Sequence, residues 1–313
     1  MNTIEASATD FLSYCRYQKN LSPKTLKSYQ IDLRQFTTFL TINSHPHEIN
    51  SIDKHLLRGY LQHISTLKPK TVKRKIATIK SLFNFLEYED KIVINPFRKM
   101  KIQIREPRNL PNVMNICEVE QIIKSAYKAK SNEKNRFSYS YAERVRNIAV
   151  IELLFATGIR VSELSSLKVD CIDVTTGQVK VKGKGNKERI IQVCNPESLK
   201  ALKDYNKLFY RKIRACEGYF FINRLNRRLS EQSIRLLVKQ NAEKAGLERR
   251  ITPHVFRHSF ATLLLEEDVD IKYIQSLLGH SSIMTTQIYT HVNKEKQKQI
   301  LLKQHPRKNF KVI

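Results

Sequence analysis

Six side chains in the C-terminal two-thirds of this 313-residue sequence have the types and spacing to act on a phosphodiester: Arg160, Lys184, His254, Arg257, His280 and Tyr289. Arg160 follows the helix-ending tripeptide ATG and opens a new turn, where a guanidinium can be held out from a rigid core; a surface ion pair with Glu163 is the other reading. Lys184 sits at the tip of VKGKGN between Gly183 and Gly185, glycines that let a turn move or approach another backbone closely. His254 and Arg257 are three residues apart in TPHVFRHSFATLL, on one face of a helix that Thr252-Pro253 starts. Two cations there repel unless an anion lies between them, although a histidine at a helix start also serves as a cap or packing group. His280 follows Gly279 in LLGHSS, and Tyr289 lies nine residues later in QIYTHV, where a core role with a bonded hydroxyl is the alternative.

Together these residues carry a self-sufficient phosphoryl-transfer chemistry. Two guanidiniums can brace the non-bridging oxygens of a phosphodiester through forked hydrogen bonds and stabilise its charged transition state. A tyrosine hydroxyl can attack phosphorus once a base accepts its proton, and a lysine can protonate the leaving 5′ oxygen. The sequence has no carboxylate cluster suited to a metal and no Walker-type glycine motif, so neither metal nor cofactor is expected.

The elements that must position these residues are mostly helical. Ile4, Ala8, Phe11, Leu12 and Cys15 form one stripe. A helix capped by Ser22-Pro23 carries Leu26, Tyr29, Leu33, Phe36 and Leu40. A third helix is expected from about Ser51, with Leu56, Tyr60 and Ile64. A fourth starts at about Pro69, with Val72, Ile76, Ile79, Phe83 and Leu86. The fourth also bears Lys70, Thr71, Lys73, Arg74, Thr78 and Lys80, a face that suits DNA or simply water. This gives a helical domain over 1–98. A basic, proline-containing linker over 99–112 includes Arg105 and Arg108, and a second domain spans 113–313.

In the second domain a helix over 115–130 is followed by a polar stretch, 131–142, that reads as a flexible surface insertion. ERVRNIAVIELLFATG is apolar almost all round, hence a central helix ending at Gly158. CIDV, QVKVKG and KERIIQV read as three strands joined by tight turns. Helices then dominate from Pro196 to about Gln304, interrupted by the strand-like GYFFI.

Composition narrows the partner. Lys and Arg number 56 against 29 Asp and Glu, a net charge of +27, and a polyanion is the natural counterpart. Nucleic acid comes first, because neutralised phosphates release counterions, and an anionic membrane surface comes second. The first hundred residues hold 16 basic and 8 acidic residues, leaving 40 and 21 for the remainder, so both domains are expected to touch the polyanion as a clamp. No run approaches the roughly 20 apolar residues of a spanning helix. No signal peptide is visible, which points to the cytoplasm. The five cysteines, at 15, 117, 171, 194 and 216, form no CxxC pair and read as buried thiols in a reducing compartment.

With these motifs in order, the sequence resembles the tyrosine recombinase (phage integrase) family, and within it the bacterial Xer-type recombinases. ATGIRVSELSSL is similar to the family's first-arginine motif and VKGKGNKERIIQV to its lysine hairpin. TPHVFRHSFATLLL is similar to its His-x-x-Arg motif, and LLGHSSIMTTQIYTHV to its closing histidine and nucleophilic tyrosine. The resemblance runs through nearly the whole chain, including LSPKTLKSYQIDLRQF near the N-terminus. It implies a helical, SAM-like core-binding domain joined to a largely helical α/β catalytic domain with a small three-stranded antiparallel sheet.

The resemblance implies that Tyr289 forms a 3′-phosphotyrosine, that Arg160 and Arg257 clamp the phosphate, and that Lys184 is the general acid. His254 would accept or orient a proton, and His280 would hydrogen-bond the phosphate. It implies a homo-tetramer on two DNA duplexes exchanging strands through a Holliday junction, without ATP or metal, and with a second recombinase or an accessory DNA-bending protein as possible partners. The tail from Asn293 would dock on a neighbouring subunit. The 131–142 insertion and the high charge favour a recombinase of a mobile element (integration, excision or transposition) over Xer-type chromosome or plasmid dimer resolution, and the insertion typical of integron integrases is absent. A type IB topoisomerase and a non-catalytic DNA-binding protein are the remaining alternatives.

Overall fold

The computed structural model describes residues 3–105, 112–183, 188–279 and 294–309. The chain divides into two compact units, Met1–Asn109 and Leu110–Ile313, each with its own apolar core.

The first unit is helical. Helix α1 (Ile4–Tyr17) starts at the Thr3 cap, and α2 (Pro23–Ile42) starts where the Ser22 side chain accepts from the Thr25 amide, with Pro23 supplying its fixed φ in the first turn. Helix α3 runs Lys54–His63, not from Ser51. Asp53 accepts from the His55 and Leu56 amides and so sets the start, while Ile49–Ser51 forms a separate 3-10 turn. Helix α4 (Pro69–Tyr88) buries Val72, Ile76, Ile79, Leu82, Phe83, Phe85 and Leu86. Aromatic rings close the core, Phe36 meeting Tyr60 edge-on at 4.8 Å. Met100, Ile102 and Ile104, in the expected linker, pack against this same core.

The second unit wraps helices and one sheet around α6. Helix α5 (Ile116–Ser131) begins with a reciprocal cap between Asn115 and Glu118. Helix α6 (Tyr139–Thr157) is buried almost without break from Val145 onward. It starts four residues before the expected Glu143, because the Ser138 side chain accepts from the Tyr141 amide. The expected 131–142 insertion is therefore a short connection over 132–138, and it is held rather than loose: Arg144 reaches the Ala129 carbonyl and the Glu133 carboxylate. Helix α6 ends at Gly158 with φ +57°, and the short α7 (Val161–Ser165) follows.

Strands β1 (Ile172–Asp173), β2 (Gln178–Lys182) and β3 (Glu188–Gln192) form an antiparallel sheet in that order, pairing Val179 with Ile191 and Val181 with Arg189. Helices α8 (Pro196–Arg214), α9 (Glu231–Lys244), α10 (Pro253–Glu266), α11 (Ile271–Leu278) and α12 (Lys294–Gln304) complete the unit. GYFFI does not join the sheet. Its buried backbone is satisfied by bonds to Leu167 and Leu229 and by Tyr205, whose hydroxyl donates to the Phe220 carbonyl at 2.9 Å and accepts from the Ile222 amide at 3.1 Å.

One further expectation changes. Of the cysteines, Cys15 and Cys216 are buried, Cys171 and Cys194 are half-buried, and Cys117 is exposed. The described tail residues, 294–309, pack on their own unit. Leu301 is buried, His305 lies against Phe155 and Phe260, and Arg307 is fully enclosed. The Arg307 guanidinium meets the buried Glu152 carboxylate at 3.1 Å and also pairs with Glu197, while Glu152 accepts from Ser198 and Tyr127. Burial opposes the Arg307 charge, but Glu152 and Glu197 outweigh it and raise its pKa. No described helix is long and apolar enough to cross a membrane.

Two outcomes follow from this packing. A Cβ at position 158 would meet Phe260 Cδ1 at 2.6 Å and Leu278 Cδ2 at 2.8 Å in a left-handed backbone. Gly158→Ala is therefore expected to cost about 1–3 kcal/mol by chemical denaturation. Burial pushes His305 down to about 4 from 6.5, so it stays neutral when folded while the unfolded chain takes a proton. Stability should fall as pH drops from 6.5 towards 4, by roughly 3 kcal/mol at most. His305→Gln should flatten that part of the pH–stability curve.

Candidate active site

Two helix C-termini converge in the second unit, each closed by a left-handed glycine: α6 by Gly158 and α11 by Gly279, at φ +57° and +64°. The last carbonyls of a helix lack intrahelical partners and lie at the negative end of its dipole, so they attract cations. Three arginines use them. Arg257, on α10, donates to the Gly158 carbonyl at 2.7 Å and to the Leu278 carbonyl at 2.6 Å. Arg160 donates to the Gly279 carbonyl at 2.8 Å, and Arg189, on β3, to the Leu277 carbonyl at 2.8 Å.

One carboxylate ties the set together. Glu163 Oε1 accepts from Arg160 Nη1 at 2.8 Å and from Arg189 Nη1 at 2.9 Å, and Oε2 accepts from Arg189 Nη2 and from the Arg160 amide, both at 2.8 Å. Glu163 is nearly enclosed, its side chain 5% exposed. Burial pushes its carboxyl up, but Arg189 and then Arg160 outweigh that and hold it below the usual carboxylate range. Arg257 has no carboxylate within ion-pair distance among the described residues. Burial first, then repulsion from Arg160 and Arg189, push it down to about 9. It remains a cation at neutral pH, and its packing calls for an anion.

His254 stands at the start of α10, one turn before Arg257, with an exposed face. Partial burial first, then the charges of His258, Arg257, Arg235 and Arg160, push its pKa below 6.5. A neutral imidazole beside a cationic cluster can accept a proton. Among the described residues no group of three or more His, Cys, Asp or Glu lies together as a metal site would require.

Of the six expected site residues, the structure gathers Arg160, His254 and Arg257; Lys184, His280 and Tyr289 lie outside the described residues. The ion-pair reading of Arg160 is realised in its contact with Glu163, and the side chain keeps 29% of its surface exposed. Arg189 was not singled out by motif. Its signal lay in the strand alternation, which puts it on the same inward face as Ile191, opposite Val181; an arginine there needs a buried counter-charge.

In the first unit, α4 presents Lys70, Lys73, Arg74 and Lys80 to solvent, with Thr71 half-buried. Thr78 does not join that face. It is buried and donates to Asp32, a fully enclosed carboxylate on α2 that also pairs with Arg74 and Lys75. Arg105 is exposed, and Arg108 lies outside the described residues.

Known proteins share this organisation. The profile described as "Phage integrase family" matches residues 114–296, and that of "Phage integrase, N-terminal SAM-like domain" matches residues 8–90. The chain is 45% identical to a tyrosine recombinase of Agathobacter rectalis over 99% of both chains. It is 34% identical to the tyrosine recombinase XerD of Listeria monocytogenes, over 95% of this chain and 98% of the other. Among solved structures it superposes on the XerH site-specific recombinase bound to palindromic difH substrate with a TM-score of 0.68, at 24% identity, covering 93% of this chain and 83% of the other. It superposes on a lambda integrase dimer bound to a COC′ core site with a TM-score of 0.66, at 18% identity, covering 90% and 96%. These two likenesses concern the fold. By its two profiles and its full-length relatives, the chain belongs to the phage integrase family of tyrosine recombinases, enzymes that break and rejoin DNA strands.

Proposed function

We propose that this chain is a site-specific recombinase that cleaves DNA through a 3′-phosphotyrosine and exchanges strands through a Holliday junction as a homo-tetramer. The observation that carries this reading is the arginine cluster itself: among the described residues three guanidiniums face one carboxylate, Arg257 has no carboxylate within ion-pair distance, and a neutral His254 stands beside it. A scissile phosphate supplies the missing negative charge, and Arg160 and Arg257 would hold its non-bridging oxygens. Tyr289 would attack phosphorus while His254 takes the phenolic proton. The bond to the 5′ oxygen breaks as Lys184 gives it a proton, and His280 would hydrogen-bond the phosphate. The phosphodiester energy is kept in the protein linkage, so neither cofactor nor metal is assigned.

Both units would bear on the duplex, the first through Lys70, Thr71, Lys73, Arg74 and Lys80, the connecting segment through Arg105 and Arg108. A second recombinase or DNA-bending protein on the same DNA is compatible with this scheme, and the cytoplasm is the compartment that suits it. The setting we propose is a mobile element, supported by the +27 charge. Xer-type dimer resolution is the second reading. It is favoured by the short 132–138 connection, which removes the expected insertion, and by relatives named XerC and XerD.

Covalent capture tests the chemistry and the setting together. Wild-type protein mixed with sheared DNA of the source organism and denatured in SDS should retain one enriched locus, and Tyr289→Phe should retain none while still binding DNA. Equal retention by both would refute the nucleophile. The locus, element end or chromosomal resolution site, separates the two settings, and relaxation of supercoiled DNA at low protein concentration would instead mark a type IB topoisomerase. The pH profile tests the base. Because His254 is lowered, single-turnover cleavage should hold down to about 6.5 and decline only below it, and this acid limb should vanish in His254→Gln.

A further inference from the structure

We infer that Arg189 is a positioning residue for strand cleavage: it sets the Arg160 guanidinium through Glu163 and ties the strand leaving the lysine hairpin to the end of α11. This rests on the recombinase reading above. Arg189 is built for the role by its contacts. Its two Nη atoms fork onto the two oxygens of Glu163, its Nε donates to the Leu277 carbonyl, and its side chain is only 12% exposed. A Cβ at Gly279 would lie 3.1 Å from Arg189 Nη1, so the guanidinium lies directly against the turn that precedes His280. One side chain thus joins β3, α7 and α11, the elements next to Lys184, Arg160 and His280 in sequence.

The division of the Glu163 lone pairs gives the mechanism. With Arg189 in place, Oε1 is shared by two guanidiniums and Oε2 is taken by Arg189 and the Arg160 amide. Arg160 is left one contact to Glu163 through Nη1, while Nη2 points to the Gly279 carbonyl. Without Arg189 the buried carboxylate has one cation left, and a forked Arg160–Glu163 pair becomes the favoured arrangement. That pair draws Arg160 off Gly279 and away from an incoming phosphate. Lysine at 189 keeps the charge but cannot fork and reach Leu277 at once.

The test uses the full chain and a nicked duplex made from the sequence recovered by covalent capture. Arg189→Gln and Arg189→Lys should each slow single-turnover cleavage about a hundredfold, the usual effect of an ångström-scale misplacement, with the noncovalent Kd within about threefold of wild type. Because Arg189 acts through Glu163, the double variant Arg189→Gln/Glu163→Gln should be no slower than Glu163→Gln alone, within about threefold. Losses that multiply, a loss carried wholly by Kd, or wild-type cleavage in both single variants would overturn the assignment. If the Gln variant does not fold, the Lys variant carries the comparison. A crystal structure of Arg189→Lys gives an arm independent of cleavage: Arg160 Nη2 released from the Gly279 carbonyl supports the assignment, and Arg160 unmoved overturns it. Absence of any covalent adduct with wild type would refute the recombinase reading alone, and this structure would still decide the role of Arg189.

Discussion

Everything at the site depends on a charge problem: three guanidiniums must lie close together before any substrate arrives. Mutual repulsion would scatter them, and burial makes the repulsion worse, as the lowered Arg257 shows. The fold answers with fixed acceptors. Carbonyls at the ends of α6 and α11 take Arg257, Arg160 and Arg189, and Glu163 neutralises part of the excess. Among the described residues an excess of positive charge remains there. The central helix α6 is buried nearly all round, which fixes its end, and Phe260 and Leu278 close over Gly158 so that no side chain fits there.

The first unit uses the same device in miniature. Asp32 is fully enclosed on α2, yet its oxygens reach Arg74 and Lys75 on α4, so an interior carboxylate orients a cation at the surface. A basic side chain anchored in this way loses less rotamer freedom on meeting a phosphate than a free lysine does. Thr78 is spent on this anchor, which is why it is absent from the exposed face.

The sequence disclosed what local periodicity and motif order can carry. The stripes of α1, α2 and α4, the Ser22-Pro23 start, the glycine that ends α6 and the three strands were all legible, and the three expected residues Arg160, His254 and Arg257 lie near one another. Element starts were less so, because caps decide them: Asp53 moves α3 three residues later and Ser138 moves α6 four residues earlier. GYFFI has the composition of a strand, but it makes isolated bridges to Lys168 and Arg228 and bonds the Tyr205 hydroxyl of α8, which no period reveals. Arg189 and the inward turn of Thr78 escaped for a common reason. Each answers a buried carboxylate on another element, and such pairings are set by tertiary packing.

The Arg307–Glu152 pair joins residues 155 positions apart, and it closes over the middle of α6. The cation that answers the interior carboxylate of the central helix thus comes from a distant part of the sequence. Without the segment that carries Arg307, Glu152 would be a buried carboxylate lacking this cation, so that segment belongs to the core of the second unit rather than being an appendage to it.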